Sequence, residues 1–221
     1  MGEIEKPAAG SQTLARGLAA LALIGESDTA PTVRDVAERL GIHRSMAYRL
    51  VATLEQSGFV ERAPGGELGI GIRLAGIART AARDVQTVAL PELLAAADEL
   101  DATVFLAAYD GEAAVTLVSA EPRDAHAVVA QRPGSRHPIG RGAPARVIRS
   151  LVDPAAHPPA RFERSHDEVY AGLSAIAVPL VVPAARPMAI AALHLTGRDV
   201  DPEPIVTRLE SAADRIRRQL R

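Results

Sequence analysis

The chain has no cysteine and no tryptophan, and aromatic residues make up only 3% of its 221 positions. Without cysteine, disulfide scaffolds, thiolate zinc sites, iron–sulfur clusters and cysteine nucleophiles are excluded. With so few aromatics, core volume has to come from leucine, valine, isoleucine and much alanine. No uninterrupted apolar run approaches the ~20 residues that cross a bilayer. The opening Met1–Pro7 lacks a basic segment followed by an apolar one, so no secretory signal is expected. Together with the missing cysteines this makes the cytoplasm the expected compartment. Excess charge is also absent: the formal net charge is −2. That excludes a uniformly basic nucleic-acid coat protein but leaves room for a local DNA-reading patch. What is present suffices for a core, with 48% hydrophobic residues in a length suited to one or two domains.

Residues 1–10 read as a loose leader. From Ser11, a plausible N-cap, Leu14, Leu18 and Leu21 recur on one helix face. Gly25 to Pro31 reads as a loop. Thr32-Val33-Arg34-Asp35 has the spacing of a capping signature, with Val36 and Leu40 as the buried pair and Gly41 as the stop. A third helix is expected from His43 to Ser57, with Ala47, Leu50, Val51 and Leu54 inside and Arg44, Ser45, Tyr48 and Arg49 elsewhere on the wheel. Phe59–Arg62 and Leu68–Ile72 flank Pro64-Gly65-Gly66 as a hairpin. The order of three helices, a tight glycine turn and a hairpin predicts a winged helix-turn-helix over residues 11–71.

Ile72 to Arg83 predicts a further helix, part of a linker over 72–86, and Val88 to Leu100 another with Pro91 in its first turn. Periodicity then switches. Thr103–Tyr109 and Ala114–Ser119 flank the hairpin signal Asp110-Gly111, and His126–Arg132 is expected as a third strand. Pro133–Pro144 reads as loop, Arg146–Leu151 as a short helix, and 153–164 shows no period. Ala175–Val182 and Met188–Thr196 read as strands, and Ile205–Leu220 as a closing amphipathic helix. Residues 87–221 thus predict an antiparallel sheet flanked by helices, an α+β arrangement.

The strings SQTLARGLAALALI, VRDVAERLGIHRSMAYRLVATLEQSGFVER and LGIGIRLAGIAR resemble the DNA-binding domain and linker of IclR-type transcriptional regulators. TVFLAAYDGEAAVTLVSAE resembles that family's first sensor hairpin, RPGSRHPIGRGAPARVI its loop and helix before the effector pocket, and YAGLSAIAVPL and AIAALHLTG its last two strands. The resemblance covers nearly all of residues 11–221. It implies an N-terminal winged helix-turn-helix joined by a linker helix to a GAF-like antiparallel-sheet effector domain, working as homodimers or homotetramers. The likeness departs at three places. The wing carries acidic Glu67 where the family usually has basic residues. The stretch from Leu151 to Tyr170 is shorter than usual, so the effector domain is a shortened one. Finally, Pro144-Ala145-Arg146 stands for leucine-glycine-lysine, and Ala175 for a frequent cysteine.

As candidate DNA contacts the sequence offers His43, Arg44, Ser45, Tyr48 and Arg49 on the third helix, Thr32 and Val33 at the start of the second, and Arg62 in the wing. Arginine can be bidentate to guanine, hydroxyls can reach phosphate, and a helix N-terminus suits a phosphate. Arg44 and Arg49 alone would also fit a solvated helix face. With eight arginines against seven acids across residues 11–80, affinity would depend on patch placement and dimer avidity. For the effector, alternation puts Ala192, His194 and Thr196 on one strand side. The resemblance implies that this face lines the pocket with Gly142, Ala143, Pro144, Ala175 and the turn Ser165-His166-Asp167. His194 read by itself could equally be the solvent-side residue of an edge strand.

Catalytic patterns are not evident. The histidines lack metal-ligand spacing, no serine sits in a G-x-S-x-G context, and no phosphate- or dinucleotide-binding loop follows a strand. The expectation is therefore no enzyme, no metal and no cofactor. It is a DNA-binding regulator, a repressor by preference, whose binding to double-stranded operator DNA responds to a small organic or aromatic acid. The alternative is a ligand-free dimeric DNA-binding protein whose shortened C-terminal domain only oligomerises.

Overall fold

The computed structural model describes residues 11–27, 29–78, 83–124, 129–197 and 200–220, and the chain divides between residues 81 and 82 into two compact units.

The smaller unit holds α1 (Gln12–Glu26), α2 (Val33–Arg39), α3 (Arg44–Gln56), the hairpin β1 (Val60–Arg62) and β2 (Leu68–Ile70), and α4 (Arg73–Ala78). Local chemistry sets its boundaries. Ser11 Oγ accepts the Leu14 N–H at 3.3 Å to start α1. At α2 the capping box is complete: Asp35 Oδ2 accepts the Thr32 N–H at 2.8 Å, and Thr32 Oγ1 accepts the Asp35 N–H at 3.4 Å. Gly41, at φ 61°, turns the chain out of α2, and Ile42 N–H closes onto Ala37 O at 3.0 Å. His43 then caps α3. Ala20 and Ile24, Val33, Val36 and Ala37, Ala47 and Val51, Val60 and Leu68 form one core.

Here α1 departs from expectation. Its buried residues are Ala20 and Ile24, whereas Leu14 and Leu18 are 62% and 57% exposed. The helix is apolar on most sides, so leucine spacing alone cannot select the inward face. The second wing strand ends at Ile70, and Ile72 is exposed. The wing is tied back to α2 through Leu68 N–H on Pro31 O at 2.8 Å.

Gly71, just after β2, donates its N–H to Phe59 O at 2.8 Å. A Cβ built there would lie within van der Waals radius of the Gly58 carbonyl and of Phe59 C at 2.9 Å. Those atoms are backbone and have little room to yield. Gly71→Ala should therefore destabilise the smaller unit by about 1–3 kcal/mol, the usual range for overpacking. Chemical denaturation followed by circular dichroism reads this. An unchanged midpoint would mean that the hairpin shifts freely.

The larger unit is a six-stranded, wholly antiparallel sheet in the order β5-β4-β3-β8-β7-β6. Its strands are β3 (Thr103–Tyr109), β4 (Ala113–Ala120), β5 (Arg136–Pro138), β6 (Glu163–His166), β7 (Leu173–Leu180) and β8 (Met188–Leu195). α5 (Arg83–Leu100) and α7 (Pro202–Gln219) pack on one face and α6 (Ala143–Val152) on the other. Ion pairs Arg208–Glu99 and Arg215–Glu92 join α7 to α5. The fold is thus α+β, an N-terminal helix-turn-helix region followed by an antiparallel-sheet unit.

Three expectations shift here. α5 begins at Arg83 rather than Val88, so Pro91 lies inside it instead of in its first turn. The buried stripe Ala89, Leu93, Ala96 and Ala97 carries the helix through the lost hydrogen bond. The helix expected over Ile72–Arg83 is described only as α4, since residues 79–82 lie outside the described residues. Of the third strand expected over His126–Arg132, residues 126–128 lie outside the described residues and 129–132 are not strand, and β5 pairs with β4. Arg136 fixes that edge by ion pairs to Asp110 at 2.8 Å and Glu112 at 2.7 Å across the β3–β4 turn. The two carboxylates hold the Arg136 guanidinium far above its ordinary pKa, and against its burial Asp110 is held below the usual carboxylate range by Arg136 and the Ala113 and Glu112 N–H groups. β6 was not foreseen, being a short polar edge strand in a segment without period.

The sheet's two faces differ in side-chain size. Toward α5 and α7 point Val104, Leu106, Ile176, Val178, Leu180, Met188 and Ile190. Toward α6 point Ala107, Ala114, Ala175, Ala177, Ala189 and Ala191, with Phe105 and Leu193. Alanine cannot fill the space that branched residues fill, and that face keeps a cavity.

Candidate functional sites

On α3, Ala47, Leu50 and Val51 are buried, whereas His43, Arg44, Ser45, Tyr48 and Arg49 are exposed together on the opposite side. His43 Nδ1 accepts the Ser45 N–H at 3.3 Å and lies 2.8 Å from Ser45 Oγ, which fixes the helix start. Neither Arg44 nor Arg49 forms an ion pair with a described residue. Tyr48 is 56% exposed. The helix thus offers two uncommitted guanidinium groups, a phenol, an imidazole and a hydroxyl on one convex face, donors suited to base edges and phosphates.

The other expected DNA contacts are engaged within the protein. Val33 is 3% exposed and its side chain belongs to the core, so only its backbone remains for a phosphate. Thr32 is occupied with Asp35, whose carboxyl is held below the usual range by the Thr32 backbone and then its side-chain hydrogen bond. Arg62 is bidentate to Glu55 of α3 at 2.9 and 3.0 Å, and the same bonds lower the Glu55 pKa. It braces the wing against α3 rather than standing free.

In the larger unit the cavity on the α6 side has a volume of about 40 Å³ and opens to solvent. Its floor is Phe105, Ala107, Ala114, Ala175 and Leu193, its mouth is near Arg141, Val169 and Tyr170, and Gly142, Pro144 and Ala145 come from the start of α6. Its polar equipment was not anticipated from sequence. Gln131, 6% exposed, donates to Thr116 Oγ1 at 2.9 Å and lies 3.5 Å from His137 Nε2. His137 stacks edge-on against Tyr170 with ring centres 6.0 Å apart. Burial, and then the charge of Arg141, push the His137 pKa down, so the ring is neutral at neutral pH.

Of the residues expected at the pocket, Gly142, Pro144, Ser165 and Ala175 line the cavity. Ala143 is fully buried beside it. Asp167 is not among its lining residues: its Oδ1 accepts the Gly172 N–H at 2.6 Å and its Oδ2 lies 3.2 Å from His166 Nε2. His194 and Thr196 are misplaced by the sequence reading. Ala192 does share the side of His194, but that side packs toward α5 and α7. Leu193, one residue away, faces the cavity. Thr196 follows β8, its N–H on Gly172 O at 3.0 Å. Gln131, His137 and Thr116 gave no motif, because they converge only through the β4–β5 pairing. Among the described residues no group of histidines and carboxylates is placed to hold a metal ion, and no helix is long and apolar enough to cross a membrane.

Residues 13–64 match the IclR helix-turn-helix domain. Over 64 residues, 28% of this chain and 23% of the relative, the sequence is 41% identical to the transcriptional repressor IclR of Escherichia coli (strain K12). The chain matches less than half the length of its curated relatives. Two solved structures share its fold. An IclR transcriptional regulator from Alicyclobacillus acidocaldarius superposes with a TM-score of 0.83, 22% identity and coverage of 96% of this chain and 100% of that one. An IclR homologue from Microbacterium hydrocarbonoxydans, complexed with 4-hydroxybenzoate, gives 0.74, 21%, 94% and 98%. Residues 13–64 thus match the IclR helix-turn-helix domain, and the chain as a whole shares its fold with solved IclR-type regulators.

Proposed function

We propose that this chain is a DNA-binding transcriptional regulator, a repressor, that reads double-stranded operator DNA with α3 and is modulated by a small organic ligand held in the larger unit. The exposed cluster Arg44, Ser45, Tyr48 and Arg49 on the second helix of a helix-turn-helix carries the reading. Such helices enter the major groove, and paired copies read half-sites about one helical turn apart. In this reading the chain works as a homodimer or homotetramer on a pseudo-palindromic operator. The repressor sense is supported by the 41% identical relative, and an aromatic acid as ligand by the 4-hydroxybenzoate bound in the structural neighbour. In this reading the protein is not an enzyme and works in the cytoplasm, where its DNA is. The ligand must bind one DNA-binding arrangement better than the other, since equal affinity shifts nothing. A ligand-free role for the larger unit is disfavoured by the cavity, whose mostly apolar walls carry the polar groups of Thr116, Gln131 and His137.

Selection of bound duplexes from a random-sequence pool by the full chain, at fixed salt, is the test. An enriched inverted repeat of defined spacing is expected. A pool that stays random over successive rounds would overturn the regulator reading.

A further inference from the structure

Base reading by α3 needs the DNA backbone held beside it, and phosphate contacts set that register. The wing is poorly equipped to hold it. Between Val60 and Ile70 its one cation is Arg62, against the acids Glu61 and Glu67. Arg62 is committed to Glu55, whose hydrogen bonds raise its guanidinium above its ordinary pKa. Glu67 folds its carboxylate against Gly65 at the tip of the turn, and the Glu61 side chain lies across from Gly69. Both acids are exposed. The wing therefore presents negative charge to a polyanion.

The turn between α2 and α3 offers the reverse. A groove of about 340 Å³, open to solvent, is lined there by Arg34, Ala37 and Glu38 of α2, Gly41 and Ile42 of the turn, and Arg44 at the start of α3. Arg34 and Arg44 are exposed and come from different helices, and neither forms an ion pair with a described residue. Glu38 shares the groove without pairing with either, so the guanidinium groups outnumber the carboxylate. Approach is unobstructed: Ala37 is buried, and nothing lies within 4 Å of where a Cβ on Gly41 would stand. The backbone behind both arginines is already ordered, by the Thr32–Asp35 capping box on α2 and by the His43 cap on α3. Little backbone ordering is then left to oppose binding. We propose that this groove is a seat for a DNA phosphate, clamped by Arg34 and Arg44, and that it grips the backbone beside the reading helix in place of the wing. The proposal rests on the reading of the chain as a DNA-binding regulator. It adds Arg34 to the interface and assigns Arg44 to the backbone, which leaves Ser45, Tyr48 and Arg49 for base edges. Two guanidinium groups can each donate charge-assisted hydrogen bonds to one phosphate, and each neutralised phosphate releases counterions.

Fluorescence anisotropy of the full chain on a selected duplex and on a random duplex of equal length, between about 50 and 200 mM salt, tests this. Arg34→Ala should weaken both duplexes alike, by about threefold to tenfold, and lower the salt slope by about 1. Arg34→Lys keeps the charge and should keep the slope, which a merely structural role for the arginine would not predict. Glu38→Gln removes a like charge from the seat and should strengthen both duplexes by about twofold or more, a larger gain than Glu67→Gln gives in the wing. An unchanged slope in Arg34→Ala, a loss confined to the selected duplex, a slope that lysine does not restore, or a larger gain from Glu67→Gln than from Glu38→Gln overturns the proposal and leaves the regulator reading standing. If the wild-type chain binds no selected duplex better than random DNA, the regulator reading falls and the seat falls with it.

Discussion

Arg44→Ala and Arg49→Ala combined should weaken operator binding by roughly a hundredfold or more while leaving the thermal midpoint within a degree or two. An arginine that bonds a base edge contributes about 1–3 kcal/mol, and one on a phosphate adds to the salt slope of binding. Both side chains are exposed and neither forms an ion pair with a described residue, so truncation removes nothing that holds the fold. Alanine also suits a helix interior at least as well as arginine. Fluorescence anisotropy with a selected duplex at several salt concentrations separates the roles. A steeper loss on cognate than on random DNA marks base reading, and a uniform loss with a shallower salt slope marks phosphate contact. Binding retained within about threefold would remove α3 from the interface. Arg62→Ala is a useful contrast, because this arginine is spent on Glu55 and acts on the wing's position first.

This face of α3 was legible in the sequence because its signals are local. Gly41 is a stop, His43 a start, and Ala47, Leu50 and Val51 a stripe, and these place Arg44, Ser45, Tyr48 and Arg49 outward without tertiary information. Val33 and Arg62 were less legible for the opposite reason. Val33 opens a helix whose inward turn begins at once. Arg62 finds its partner seven residues back, across a hairpin whose geometry no local pattern specifies.

In the larger unit the strands that pair through short turns were readable, and the ones that pair at a distance were not. Asp110-Gly111 announces β3 and β4, since Asp110 Oδ1 accepts the N–H groups of Glu112 and Ala113 at 2.8 and 2.7 Å. β5 and β6 are polar edges of three and four residues, held by ion pairs from Arg136 and Arg146. Neither carries the apolar alternation that marks a half-buried strand. The error at His194 is of another kind. Period-two alternation grouped it with Ala192 correctly, yet alternation says only which residues share a face, not which face meets α6. The contrast between Ala189 and Ala191 on one side and Met188 and Ile190 on the other is a usable signal, since small residues leave room and large ones close it.

That contrast sets the largest stability effect expected. Ile190 is fully buried in β8, between Leu106 of β3 and Val178 of β7, with its side chain in the core toward α5 and α7. Truncation to alanine removes buried methylene and methyl groups from a place flanked by strands on both sides and helices above. The site can collapse little, so the cost should be about 2–5 kcal/mol, against about 0.5–1.5 kcal/mol for Ile190→Val. A domain's whole stability is about 5–15 kcal/mol, so the alanine variant should lose a large part of it. Calorimetry should show the transition of residues 82–221 lowered by several degrees. Hydrogen exchange should place the lost protection in β3, β7 and β8, with α2 and α3 unchanged. A loss below about 1 kcal/mol would mean that the large-residue face is loosely packed, and that side-chain size does not decide which side of this sheet stays open.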